Sequence, residues 1–204
     1  MSFIEVGNTI NIVLHNIAFH KQTESVKYID IISPFSRLYL VKEGSGNLYI
    51  ENRVRKLKKG FLYLIPSYTF CSYEFKAGLG LYYLHFSNTN YNDLNLLELY
   101  PYKNKLKSDD LSEMLIVKLL ALHPDSSLPH VNPKVYQNKK WINKKILYKS
   151  LRHYLETKGI IELLLARFIS SKEEKQEQLI KHIKLKPIFQ HIHNNLNNKI
   201  TLKE

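Results

Sequence analysis

Nine histidines, one cysteine, a set of tyrosines grouped with an arginine, and a lysine-rich run are the residues here whose types could do chemistry. A metal needs two or three His or carboxylate ligands converging from neighbouring strands. The β-rich first part offers His15, His20 and His85, with no His-x-His pair on one strand face, so the ligand set is incomplete. His191 and His193 stand two apart on what reads as a helix over 189–197. That spacing turns them roughly 200° apart, so they do not share an ion and are expected to be solvent-facing or partly packed. Cys71 lies among Tyr68, Phe70 and Tyr73 with no sequence mark of an activating base, the setting of an inert buried thiol. Gly44-x-Gly46 sits between strands and lacks a following helix, so it is no phosphate loop. Neither a metal nor a cofactor is expected.

The tyrosines say more. Tyr39, Tyr63, Tyr68, Tyr73, Tyr82 and Tyr83 fall in the β-rich part, where each is either core with its hydroxyl at the surface or the wall of a pocket. Flat apolar faces with Arg and His hydrogen-bond groups suit a polar organic ligand such as a sugar. The run "PKVYQNKKWINKKILYKSLRHY" carries Lys134, Lys139, Lys140, Lys144, Lys145, Lys149 and Arg152 without an acid. It could follow a phosphate backbone with Trp141 stacking. The preferred reading is the wet face of an amphipathic helix whose other side is Trp141, Ile142, Ile146 and Leu147.

Glycine placement shows which elements must position these groups. Six of the seven glycines precede residue 81 and only Gly159 follows, so turn-punctuated strands give way to helices. "TINIVLHNIAF" alternates Ile10, Ile12 and Leu14, the period of a half-buried strand. "SRLYLVKEGSGNLYIENRVRKLKKGFLYLIP" reads as three strands, with turns at Gly44-Ser45-Gly46, Asn52-Arg53 and Lys59-Gly60. In "LGLYYLHFS", Leu81, Tyr83 and His85 share one face and Tyr82, Leu84 and Phe86 the other; alternation does not say which is interior. Asp109-Asp110 starts a helix that Pro124 stops, residues 125–135 form a loop, and a helical pattern runs from about Lys139 to Ile169 with a break at Gly159. Ile161, Leu164, Leu165 and Phe168 make an apolar stripe that must meet either the barrel or a second copy of the chain. "SSKEEKQEQ" is a linker or a solvated helix start.

Composition bounds the remainder. The 204 residues suffice for one good core or a core with a small partner domain. No run of about 18 apolar residues suggests a membrane span, and "MSFIEVGNTINIVL" has no secretory-signal character. A single cysteine excludes an internal disulfide framework, and a cytoplasmic protein is expected. The net charge of +12 is spread along the chain and is mostly Lys, which solvates more than it reads bases.

"RLYLVKEGSGNLYIENRVRKLKKGFLYLIPSYTFCSY…LGLYYLHF" resembles the N-terminal sensor domain of AraC/XylS-type transcription regulators, a cupin-like barrel followed by helices. "KPIFQHIHNNLNNKITLKE" is similar to the start of that family's helix-turn-helix DNA-binding domain, and the match stops at Glu204. Phe61 and Cys71 stand where relatives often carry an acid and a His, departures that remove metal-site character. The resemblance implies an α+β fold, a cupin-like antiparallel jelly roll followed by a helical dimerisation segment. It places an effector-binding barrel at 1–90, a helical dimerisation region at 91–170, a linker at 171–183 and the truncated DNA-binding domain at 184–204. It further implies a non-enzymatic homodimer that senses a small effector, a sugar among the candidates, and meets DNA through the domain missing from this chain. Arg37, Tyr39, Cys71, Tyr83 and His85 are the candidate effector-binding residues: Arg37 a fork to oxygen groups, Tyr83 a stacking face, His85 a donor or acceptor. Ile161, Leu164, Leu165 and Phe168 are the candidate dimerisation residues. A metal-dependent cupin-type isomerase or oxygenase is the alternative.

Overall fold

The computed structural model describes residues 3–50, 53–89, 95–136 and 146–170. The β-rich part forms strands β1 (Asn11–Lys21), β2 (Val26–Ile31), β3 (Ser36–Glu43), β4 (Gly46–Ile50), β5 (Arg53–Leu57), β6 (Phe61–Ile65), β7 (Cys71–Phe75) and β8 (Gly80–Thr89), with β9 (Lys105–Lys107) following later. Around them lie helices α1 (Phe3–Thr9), α2 (Leu96–Leu99), α3 (Asp110–Leu122), α4 (Pro133–Tyr136) and α5 (Leu151–Phe168). The strands pair in two antiparallel sheets of order β1-β8-β3-β6-β9 and β2-β7-β4-β5. That interleaving of the first eight strands is the jelly-roll arrangement, so the α+β, cupin-like fold expected from sequence is the fold observed.

Ser36 to Ile65 holds four strands, not three, because each of the three turns reverses the chain. The first turn depends on glycine. Gly44 has φ 72°, and a Cβ there would stand 2.5 Å from the Gly78 carbonyl oxygen. At Gly46 the same addition would meet the Glu74 carbonyl oxygen at 2.6 Å. The chain passes from one sheet to the other through this gap, where no side chain fits.

Both faces of the five-stranded sheet are covered. Tyr39, Val41, Tyr63, Ile65, Leu81 and Tyr83 look into the barrel, against Leu48, Ile50, Tyr73 and Phe75 of the other sheet. Alternate residues Leu38, Leu40, Leu62, Leu64, Leu84 and Phe86 look outward, under the helices. Two-sided burial explains why β3, β6 and β8 read as near-continuous apolar runs. In β1, Ile12 and Leu14 are buried and Ile10 lies just before the strand. A bulge at His15 then shifts the phase, so that Leu14 pairs with Phe86 and Asn16 with His85. Ile17 therefore joins the outer core where plain alternation would have placed residue 16.

The helical half departs from expectation in four places. The loop after Pro124 contains the single turn α4, opened by Pro133. Residues 146–150 are not helical, and α5 begins at Leu151 because the Ser150 side chain accepts from the His153 amide. Gly159 lies inside α5 without breaking it. Its intrinsic cost of about 1 kcal/mol is offset by the apolar stripe around it. That stripe is the main correction. Ile161, Leu164, Leu165 and Phe168, expected at a dimer interface, are each no more than 1% exposed and pack with α3 onto the outer face of the sheet. The linker and tail at 171–204, with His191 and His193, lie outside the described residues, as does the lysine-rich segment around Trp141.

Candidate functional site

Strand alternation and cross-strand register assemble the site. On β3, Arg37 and Tyr39 face the barrel; β8 sets His85 opposite Arg37 and Tyr83 opposite Tyr39. From the other sheet β7 supplies Cys71, Tyr73 and Phe75. All five candidate residues thus stand in the barrel interior, which answers the open question of which face of "LGLYYLHF" points inward.

Arg37 is the centre of this arrangement. It is 0% exposed, the largest fully buried side chain among the described residues. Its Nη2 donates to the Cys71 Sγ at 3.1 Å. Its Nε and Nη1 have no hydrogen-bond partner among the described residues. Among the described residues no carboxylate pairs with it. Burial opposes its charge, but the surrounding Cys71 thiol and the phenols of Tyr39, Tyr136 and Tyr73 favour it, and the net direction is upward. The guanidinium therefore keeps its charge, and an uncompensated buried charge is costly.

The rings around it are held neutral. Burial pushes the phenols of Tyr39, Tyr73 and Tyr136 above their usual range, against the pull of Arg37. His85, 1% exposed, is driven well below its ordinary value by burial, then by Arg37 and His15. Its Nδ1 has no partner among the described residues, and its ring stacks on Phe35 at 4.9 Å. Tyr83 does not simply present a face. Its hydroxyl accepts from the Leu128 amide at 2.7 Å and so anchors the segment after α3 to the barrel mouth. The Ile17 amide donates to the Ser126 carbonyl at 2.9 Å in the same seam.

A cavity of about 50 Å³ remains between the sheets, walled by Tyr39, Tyr73, Phe75, Tyr83, His85 and Tyr136 among others. Tyr136 closes it from α4, its ring 5.5 Å from His85 and 6.3 Å from Phe35. Sequence reasoning missed Tyr136, because one helical turn inside a loop has no periodicity. The Pro133 at its start was the available signal. Phe35 was missed too, lying before the strand it serves.

The fold type often carries a metal, and these residues do not suit one. His85, the interior histidine, faces the Arg37 cation, which repels a second cation in low dielectric. Among the described residues no three His, Cys, Asp or Glu side chains group as ligands. His15 is turned out by the bulge to Ser87 Oγ at 2.7 Å, and His20 lies at the cavity rim.

A second polar cluster braces the barrel. Ser36 Oγ donates to Asn88 Oδ1, Asn88 Nδ2 to Asn95 Oδ1, and Asn95 Nδ2 to Ser67 Oγ, at 3.2, 3.0 and 2.6 Å. Asn95 also caps α2 by accepting from the Leu97 amide. The chain ties β3, β8 and α2 together and leaves none of its members reaching for a ligand.

No family model matches this chain, and no curated protein matches it. Among solved structures it is similar to the salicylate 1,2-dioxygenase of Pseudoaminobacter salicylatoxidans, at 17% identity over 38% of this chain and 25% of that one, TM-score 0.31. It is similar to a cupin-2 domain containing protein of Shewanella frigidimarina, at 13% identity over 38% and 70% of the two chains, TM-score 0.28. The EutQ protein of Clostridium difficile is similar at 13% identity over 39% and 57%, TM-score 0.28. The match spans about a quarter of the dioxygenase's length. The class assignment, a cupin-like jelly roll with helices packed on one sheet, rests on the strand order itself.

Proposed function

We propose that this chain is the effector-sensing and dimerisation part of a DNA-binding transcription regulator, with a small molecule bound in the barrel controlling transcription. One observation carries the reading: a fully buried guanidinium with open donors, ringed by neutral phenols, beside a cavity that one side chain closes. That is equipment for holding a polar ligand. On that equipment we take the chain as a non-enzymatic binder. The order of motifs in the sequence, sensor-like barrel first and helix-turn-helix start last, supplies the regulatory half of the proposal.

A homodimer remains part of the reading, on a different surface from the one expected. With the α5 stripe consumed inside the chain, a second copy would use outward residues of α3 and α5, where Leu111, Met114, Val117, Leu155 and Leu163 are exposed. No helix among the described residues is long and apolar enough to cross a membrane.

Comparing cells with and without the gene tests the function. The regulator reading expects a discrete set of transcripts to change. Unchanged transcripts with accumulation of one metabolite would favour the metal-dependent cupin-type enzyme, as would near-stoichiometric iron, zinc or manganese in the purified protein.

A further inference from the structure

The charge inventory of the barrel narrows the ligand beyond a polar small molecule. Arg37 brings one full positive charge into the interior, next to the wall residues Tyr39, Tyr73 and Tyr136 rather than in the cavity lining itself, and no Asp or Glu is among the residues that wall the cavity. Glu43, at the end of β3, is spent on Lys21 at 2.9 Å. Glu74 alternates with the interior residues of β7, on its outward face beside Asn47 at 3.3 Å. A neutral sugar would satisfy open donors but leave the charge uncompensated. A dianion would exchange one unpaired charge for another. A single carboxylate neutralises the site and suits a guanidinium, whose N–H groups match its planar oxygens. The aromatic and aliphatic walls require the rest of the ligand to be apolar.

Space adds a second condition. The present cavity of about 50 Å³ is too small for such a molecule. The ring of Tyr136 occupies the adjoining volume between Phe35, His85 and Tyr73. It is carried by a one-turn helix rather than by a strand, and its hydrogen bonds to Tyr73 and Arg37 are contacts that a ligand carboxylate on Arg37 would replace.

We propose that the barrel takes a small monocarboxylate with an apolar body, its carboxylate on the open donors of Arg37 and its body in the place now held by the Tyr136 ring. This rests on the reading that the barrel holds an effector. Occupancy would then be reported to the rest of the chain by displacement of α4 and of the segment that Tyr83 anchors at Leu128.

Calorimetric titration of the full chain with benzoate, butyrate, benzamide and glucose tests it. Benzoate and butyrate are expected to bind at one site. Benzamide, of the same shape without the charge, should bind at least about tenfold more weakly, the loss of one charge-assisted hydrogen bond. Arg37→Met should fold, with a melting temperature no lower than that of the parent because a buried charge has gone, and should lose benzoate by a similar factor. Tyr136→Ala should bind benzoate as tightly as the parent or more tightly; weaker binding would overturn displacement of that ring. Equal binding of benzamide and benzoate, or undiminished benzoate binding by Arg37→Met, would overturn the carboxylate assignment. Glucose binding with neither acid bound would also overturn it while leaving the effector reading standing. Silence from all four probes would overturn the proposal and count against the effector reading as well.

Discussion

His15, His85 and His123 are held neutral by where the fold puts them. Burial takes His15 down to about 4 and His85 well below its usual value. His123 falls to about 4 by burial, then by the neighbouring His153 and Lys149. In the unfolded chain these rings take protons from about 6.5 downward, while the folded chain resists until about 4. Stability is therefore whole above pH 6.5 and is lost as pH falls toward 4, because the unfolded state binds more protons there. Thermal melts across that window should show the midpoint dropping, and replacing His15 and His123 together with Gln should flatten the drop. An unchanged slope in the double variant would refute the assignment. At this scale much was legible. Residue type and alternation chose Arg37, Tyr39, Cys71, Tyr83 and His85, and the structure sets all five in one interior. What sequence could not convey is that Arg37 has no counter-charge among the described residues, since that depends on which acids the other strands turn outward.

The helices carry the clearest separation between packing and association. Leu164 and Phe168 lie under α5 against the sheet, so Leu164→Glu or Phe168→Glu buries a charge in the core. Either should cost about 3 kcal/mol or more and read as loss of a cooperative melt. Met114→Glu and Leu163→Glu alter exposed positions and should leave the melt intact while converting the proposed dimer to monomer in sedimentation. Folded dimers from the first pair would contradict the packing. Unaltered dimers from the second pair would contradict the proposed surface. The cap at α2 is a third test: Asn95→Ala removes an N-cap and leaves Asn88 and Ser67 short of partners, a loss of about 2 kcal/mol measurable by denaturant titration.

Sequence revealed the stripe on α5 but not its partner. An amphipathic face looks the same whether a sheet or a second helix covers it. The start at Ser150 was hidden because the lysines and aliphatics before it keep helical spacing. The bulge at His15 was hidden because an extra residue leaves no mark in a pattern that merely changes phase. The turn at Gly44-x-Gly46 and the N-cap of α3, where Asp109 Oδ1 accepts from the Ser112 amide at 2.9 Å, were readable, since each position admits few residue types.

For the whole molecule, barrel and helices are two sides of one sheet. Along β3, Arg37 and Tyr39 face the cavity while Leu38 and Leu40 lie under the helices; β8 repeats this with Tyr83 and His85 against Leu84 and Phe86. β9, from the helical half, pairs with β6 and closes the arrangement. In the proposed regulator, a ligand that prefers one arrangement of α4 and the Leu128 segment over another shifts the population presented to the DNA-binding part. Everything in that account depends on the barrel being a binding site. The direct measurement is the melting temperature of the purified chain across a panel of small carboxylic acids and sugars at millimolar concentration, because a ligand selective for the folded state must stabilise it. The account predicts that at least one acid raises the midpoint and that Arg37→Met reduces the rise; a flat response across the panel would contradict it.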